Sequence, residues 1–303
     1  MKANRCRLAS KVVWLALAAV LAGFGVSCGQ DEEVNDRIGV IVTISPQAEF
    51  VERVGGEKVD VTVIIPPGAN PHTYELTPSQ MRDVAGAEIY AKVGSGVEFE
   101  LSWMDRIEAQ NKAMLVVDCA EGVELTQLTG AQRDEAEDAR HRTLDPHIWM
   151  SPPNAEIMVK NIYDGLVQVD PDNRAYYEEN LDAYLQELSE LDQDIRDGLS
   201  QVANRVFMVY HPRFGYFAEE YGLAMLAIEE GGKEPTAAGI AHLVVEAQEN
   251  DIKVVFASPQ FNPQSARVIA DEIGGRVVFV DTLAGDYVAN LRVFLGELIQ
   301  AME

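Results

Sequence analysis

Only five histidines occur in 303 residues, and two of them stand in the same local setting. His72 follows Pro71 in PPGANPHTYELTPSQ, and His147 follows Pro146 in DPHIWMSP. His211 ends the apolar run RVFMVYH, and Asp281 ends RVVFVD in the same manner. Imidazole and carboxylate are donors for divalent transition metals, and three nitrogens with one oxygen are sound tetrahedral coordination for zinc. The proline before His72 and before His147 restrains the backbone and reduces the ordering needed when a ligand binds. One strand-end histidine is more often a structural hydrogen-bonding residue than a ligand, so spacing alone leaves both readings open. His242, in AAGIAHLVVEAQ, reads as a helix-face residue, and Glu229 and Glu230, before GGKEP, read as solvated loop charge.

The elements that must position these residues alternate along the chain. IGVIVTIS, VDVTVIIP, AEIYAKV and MLVVD are short, β-rich runs, with helical patterns near 46–54, from Thr77 and near 98–109 between them. Thr77 is a helix N-cap with Pro78 in the first helical position. HIWM, from His147, reads as strand-like. A second series begins at RVFMVYH and continues through LAMLAI, IKVVFAS and RVVFVD, with helical patterns near 214–221, 235–249, 262–273 and 286–302. Strands alternating with helices predict α/β lobes with mainly parallel sheets. In such sheets ligands bind at the carboxyl ends of the strands. His72, His147, His211 and Asp281 therefore have the means to converge in a cleft between two lobes.

Between the series lies Asp170 to Val202, where Tyr177, Leu181, Tyr184, Leu188, Leu191 and Ile195 recur at three- and four-residue spacing. That is one apolar stripe on one long helix, of roughly 45 Å at 1.5 Å per residue. The stripe is short for a free coiled coil, which leaves a stiff connector packed along both lobes. The expected organisation is residues 1–27 a signal peptide, 28–36 a tether, 37–155 an N-terminal α/β lobe, 156–203 a helical connector and 204–303 a C-terminal α/β lobe.

The amino terminus is basic at Lys2, Arg5, Arg7 and Lys11, then apolar from Val12 to Val26, the pattern of an export signal. Small residues before Cys28 resemble a bacterial lipoprotein cleavage site, with Cys28 as the lipidated residue. Cys119, in MLVVDCAEG, reads as a lone buried thiol, so no intramolecular disulfide framework is expected. The formal charge of -25 with 47% hydrophobic residues describes a folded protein with an acidic surface. Such a surface repels nucleic acid.

GANPHTYELTPSQ, DPHIWMSP, HPRFGYFAEEYGL, KEPTA, VVFASPQFNP and VVFVDTLAGDY, in this order and spacing, resemble the ZnuA/TroA-like family of zinc and manganese receptors of bacterial ABC importers. The similarity runs from about Arg37 to the C-terminus. It implies two α/β lobes joined by one long helix, and metal ligands at His72, His147, His211 and Asp281. It further implies zinc, with a manganese or iron receptor of the same family as the alternative, because manganese receptors of this kind usually carry Glu where this chain has His211. The implied protein is not an enzyme. It is an exported monomer, periplasmic or at the cell surface, lipid-anchored, which hands its metal to an ABC permease in the cytoplasmic membrane. Zinc members often carry a histidine-rich loop before the second ligand. Here that loop is ELTQLTGAQRDEAEDARHRT, with His141 as its only histidine, and it reads as solvated and acidic. Many zinc members also have a disulfide in the second lobe, where this chain has no cysteine. Two rival classes are a zinc hydrolase, since three histidines and an open position can activate water, and a surface adhesin. Asp281 in the fourth position would argue against the hydrolase.

Overall fold

A computed structural model describes residues 37–127, 144–229 and 233–303. Four short strands, β1 (Ile38–Val42), β2 (Val59–Val63), β3 (Ile89–Lys92) and β4 (Leu115–Asp118), pair in parallel in the order β2-β1-β3-β4. Four more, β5 (Val206–Val209), β6 (Ala224–Ala227), β7 (Val254–Ala257) and β8 (Arg276–Phe279), pair in parallel in the order β6-β5-β7-β8. Each sheet is all-parallel because each strand is followed by a crossover, and their central strands are apolar on both faces.

The helices of the first lobe are α1 (Ser45–Gly55), α2 (Pro78–Gly86) and α3 (Glu98–Gln110). Thr77 caps α2 as its sequence predicts, its side chain accepting from the Gln80 N–H with Pro78 in the first turn. Two helices lie between the sheets, α4 (Pro152–Val169) and α5 (Arg174–Ser200). The second lobe adds α6 (Gly215–Tyr221), α7 (Ala237–Glu249), α8 (Gln264–Glu272) and α9 (Tyr287–Met302). HIWM is not a strand. Ile148–Met150 form a 3₁₀ turn that runs directly into α4. The run is bracketed by Pro146 and Pro152, and none of the described strands pairs with it.

The predicted stripe on α5 is buried: Tyr177, Leu181, Tyr184, Leu188, Leu191 and Ile195 all face inward, joined by Leu199. Its 27 residues span about 40 Å at 1.5 Å each, and it packs on α1 and α4 and on α6 and α9. The apolar core therefore runs unbroken from the first sheet through α5 into one face of the second, where Phe207, Phe214, Phe217, Phe256 and Phe294 cluster. A polar clasp adds to this. The Glu49 carboxylate on α1 accepts from the Tyr184 hydroxyl on α5 at 2.9 Å and from the Tyr287 N–H at the start of α9. A free N–H at a helix start is an unsatisfied donor that favours negative charge. Cys119 is a free, buried thiol, as its sequence setting predicts.

Candidate metal centre

Asn70 and Asp145 stand two residues before His72 and His147, in NPH and DPH. Each side-chain oxygen accepts from the histidine backbone N–H, at 3.0 Å in both cases. These are Asx turns spanning a proline, a local device that fixes the backbone of a histidine without help from a strand. The repeated proline–histidine setting is thus two residues of a three-residue unit whose first member supplies the accepting oxygen.

His211 is placed by sheet register. Val209 pairs with Ala227 between β5 and β6, so two residues further on His211 stands beside Glu229. The ladder continues that far, since the Glu229 N–H donates to the Tyr210 carbonyl at 2.8 Å. Glu229 is not solvated loop charge. Its side chain is 6% exposed, and its carboxylate holds His211 Nδ1 at 2.8 Å.

Each of the three histidines has such a partner. Glu98, the first residue of α3, meets His72 Nδ1 at 2.8 Å, and Asp145 meets His147 Nδ1 at 2.7 Å. A carboxylate on Nδ1 fixes the tautomer with the proton there and leaves Nε2 as a bare donor. The segment leading from β3 into α3 is itself fixed. Buried Glu100 accepts from the Thr43 hydroxyl and from the Val93 and Gly94 N–H groups. Gly94 has φ of +83°, and a Cβ there would stand 1.9 Å from Asp118 Oδ1.

One ring nitrogen from each of His72, His147 and His211 lies within 4.8 Å of the other two. His72 Nε2 and His211 Nε2 are 3.2 Å apart. Zinc–nitrogen bonds of about 2.0–2.1 Å in a tetrahedron place neighbouring donors roughly 3.3 Å apart, so this spacing suits one small cation. Burial holds His147 well below the ordinary imidazole value, with the nearby Arg213 charge acting the same way. Burial also brings His211 down to about 3 against the opposing pull of Glu229. Both are therefore neutral at pH 7 and able to donate. Glu98 is lowered despite desolvation by burial, with the His72 hydrogen bond the largest of the opposing causes. Desolvation raises Asp145 to about 7.

Asp281 lies two residues beyond β8 and does not join the group of three. Its Oδ1 accepts from Gln260 Nε2 at 2.6 Å and from the Leu283 N–H at 3.0 Å. The second lobe also meets the first around the site. Trp149 Nε1 donates to the Thr282 carbonyl at 2.9 Å, and the Tyr216 hydroxyl to the Asp145 carbonyl at 3.0 Å. His242 is a helix-face residue on α7, its side chain 73% exposed. Cys28, His141, Glu230 and most of the acidic loop lie outside the described residues.

Two α/β lobes on a long helix, with imidazoles from both lobes meeting over the strand ends, define a metal-binding receptor of transport type. The family model for the periplasmic component A of the zinc-uptake complex, ZnuA, matches residues 40–301, and the chain belongs to this family. A high-affinity zinc uptake system protein ZnuA of Bacillus subtilis is 30% identical over 274 residues, 89% of this chain and 86% of that protein. A manganese-binding lipoprotein MntA of Halalkalibacterium halodurans is 29% identical over 266 residues, 86% of this chain and 84% of its own. A crystal structure of ZnuA superposes with a TM-score of 0.83 at 37% identity, covering 88% of this chain and 100% of that one. The family consists of periplasmic metal-binding receptors of ABC importers, mostly for zinc and in part for manganese, and its members are not enzymes. None of the described helices is long and apolar enough to cross a membrane.

Proposed function

We propose that this chain captures one zinc ion between His72, His147 and His211, with Asp281 as the fourth ligand, and delivers it to an ABC permease in the cytoplasmic membrane. One observation carries the reading. With Nδ1 of His72 and His211 both engaged by carboxylates, two bare Nε2 lone pairs face each other at 3.2 Å. Neutral rings in these tautomers have no hydrogen to share there, and a cation between them is the arrangement that makes the contact favourable. Three nitrogens favour zinc over manganese, which prefers more oxygen ligands and lies at the weak end of the divalent series. The three carboxylates occupy the far nitrogens, so they orient the ligands and supply no base at the open position. That placement supports a receptor over a zinc hydrolase.

The ligands come from both lobes, and the continuous core through α5 supports a modest opening rather than a wide hinge. The chain acts as a monomer, anchored through lipid on Cys28 at the outer face of a membrane. Elemental analysis of protein purified without added metal tests the cargo. One zinc per chain is expected, and manganese in its place would refute the zinc assignment. Cys28→Ala tests the anchor. It is expected to release the protein from membranes, and a variant still membrane-bound would refute lipidation at this residue.

A further inference from the structure

The order β6-β5-β7-β8 sets four residues in a row along the carboxyl edge of the second sheet: Glu229, His211, Gln260 and Asp281. Adjacent strands are about 4.8 Å apart, so β7 keeps the end of β8 roughly twice that distance from the end of β5. Gln260, three residues beyond β7, fills the interval. Its Nε2 donates to Asp281 Oδ1 at 2.6 Å, while its Oε1 faces Arg213 Nη1 at 3.4 Å. Arg213 is fully buried and stacks its guanidinium over Phe261 at 4.8 Å. Nη1 also donates to the Thr282 hydroxyl at 2.6 Å, and Nε and Nη2 have no partner among the described residues. Since arginine only donates, the Gln260 amide is oriented with its oxygen towards Arg213 and its NH₂ towards Asp281.

Asp281 is thus already engaged, and the geometry points to a holding role for Gln260. We propose that Gln260, oriented by Arg213, competes with zinc for the Asp281 carboxylate, so that the cargo gains its fourth protein ligand only by displacing a charge-assisted hydrogen bond. The inference rests on the zinc reading above. A fourth ligand that can return to Gln260 weakens the closed site and gives the ion a stepwise way out. The three histidines are fixed by Asx turns, register and carboxylates, whereas Asp281 alone has a second place to go. Gln260 is half-buried on a loop, so changing it leaves the sheet intact.

The test measures zinc affinity by chelator competition, and zinc release into excess chelator, for the metal-free parent, Gln260→Leu, Asp281→Asn and the double variant. Gln260→Ala serves as a second form in which no new side chain is introduced. Removing the competing bond is expected to tighten zinc about tenfold and slow its release, with that gain absent when Asn replaces Asp281. A tenfold gain corresponds to about 1.4 kcal/mol, close to the lower end of the range for hydrogen bonds to charged groups. Cobalt(II) absorption reads the ligand set directly: Gln260→Leu is expected to change the parent spectrum, and the change is expected to vanish with Asp281→Asn. A supporting role for Gln260 predicts the reverse, namely weaker zinc in Gln260→Leu and Gln260→Ala and the same loss on either background. Zinc affinity unchanged by both Gln260 variants, or a gain that survives Asp281→Asn, overturns the proposal while the parent's zinc binding still stands. A parent that fails to bind zinc removes both readings together.

Discussion

His72 and His211 are 139 residues apart and belong to different lobes, yet their Nε2 atoms meet at 3.2 Å. His147 completes the group from the loop that follows β4, with its ring 5.9 Å from His72 and 5.3 Å from His211, centroid to centroid. In the proposed site each ring supplies one of three nitrogen donors, so truncating any one leaves two beside Asp281. His147→Ala is expected to weaken zinc by more than the roughly 10–100-fold typical of losing an outer partner. His242→Ala, on the exposed face of α7, is expected to leave affinity unchanged. Isothermal titration of both variants checks this, and equal losses would contradict the assignment.

Glu229 acts one bond further out. It holds His211 in the donating tautomer, and its removal frees the ring to turn or to place its proton on Nε2. Glu229→Gln is expected to cost about 10–100-fold in zinc affinity with little change in the fold, measured by chelator competition and circular dichroism. An affinity equal to the parent's would show that His211 needs no orienting carboxylate.

Protons compete with zinc for imidazole only near and below the pKa of the free site. His211 is held at about 3 and His147 well below the ordinary value, both by burial first. The sign is that both remain neutral donors as pH falls from 7 to 5.5. Three imidazoles at the ordinary value near 6.5 would together lose about a thousandfold over that interval. A much smaller loss is expected here, and titrations at both pH values decide it. A full thousandfold loss would contradict the buried, neutral state of these two rings.

The Glu49 clasp links α1, α5 and α9 through one carboxylate. Glu49→Ala removes the partner of the Tyr184 hydroxyl and of the first N–H of α9. A loss of about 1–3 kcal/mol is expected from the groups left unpaired, read by urea denaturation. An unchanged midpoint would mean that water replaces the carboxylate at no cost.

The lobes, the order of strands and helices and the long connector were legible because apolar periodicity carries them. The stripe on α5 matches residue for residue. HIWM was misread as strand-like because a short apolar run cannot distinguish strand from helical turn by periodicity, and the flanking prolines were the better signal. The three histidines were legible as chain punctuation at strand ends and after prolines. Their carboxylates were not. Glu229 becomes a partner only through the β5–β6 register, and Glu98 through the place where α3 begins. Asp145 was within reach, since Asp-Pro-His repeats the Asn-Pro-His of the first site. Asp281 was placed at the right strand end, but the width of the sheet, which sequence does not display, sets Gln260 between it and His211.

The most direct test of the account is a competition between zinc and manganese for the metal-free protein at neutral pH, with stoichiometry read in the same titration. Three converging imidazoles, His147 and His211 buried and His72 partly so, predict one tight site per chain that holds zinc well above manganese. His211→Glu is expected to narrow that gap by replacing nitrogen with oxygen. A parent that takes manganese in preference to zinc, or that holds two equivalent ions, would contradict it.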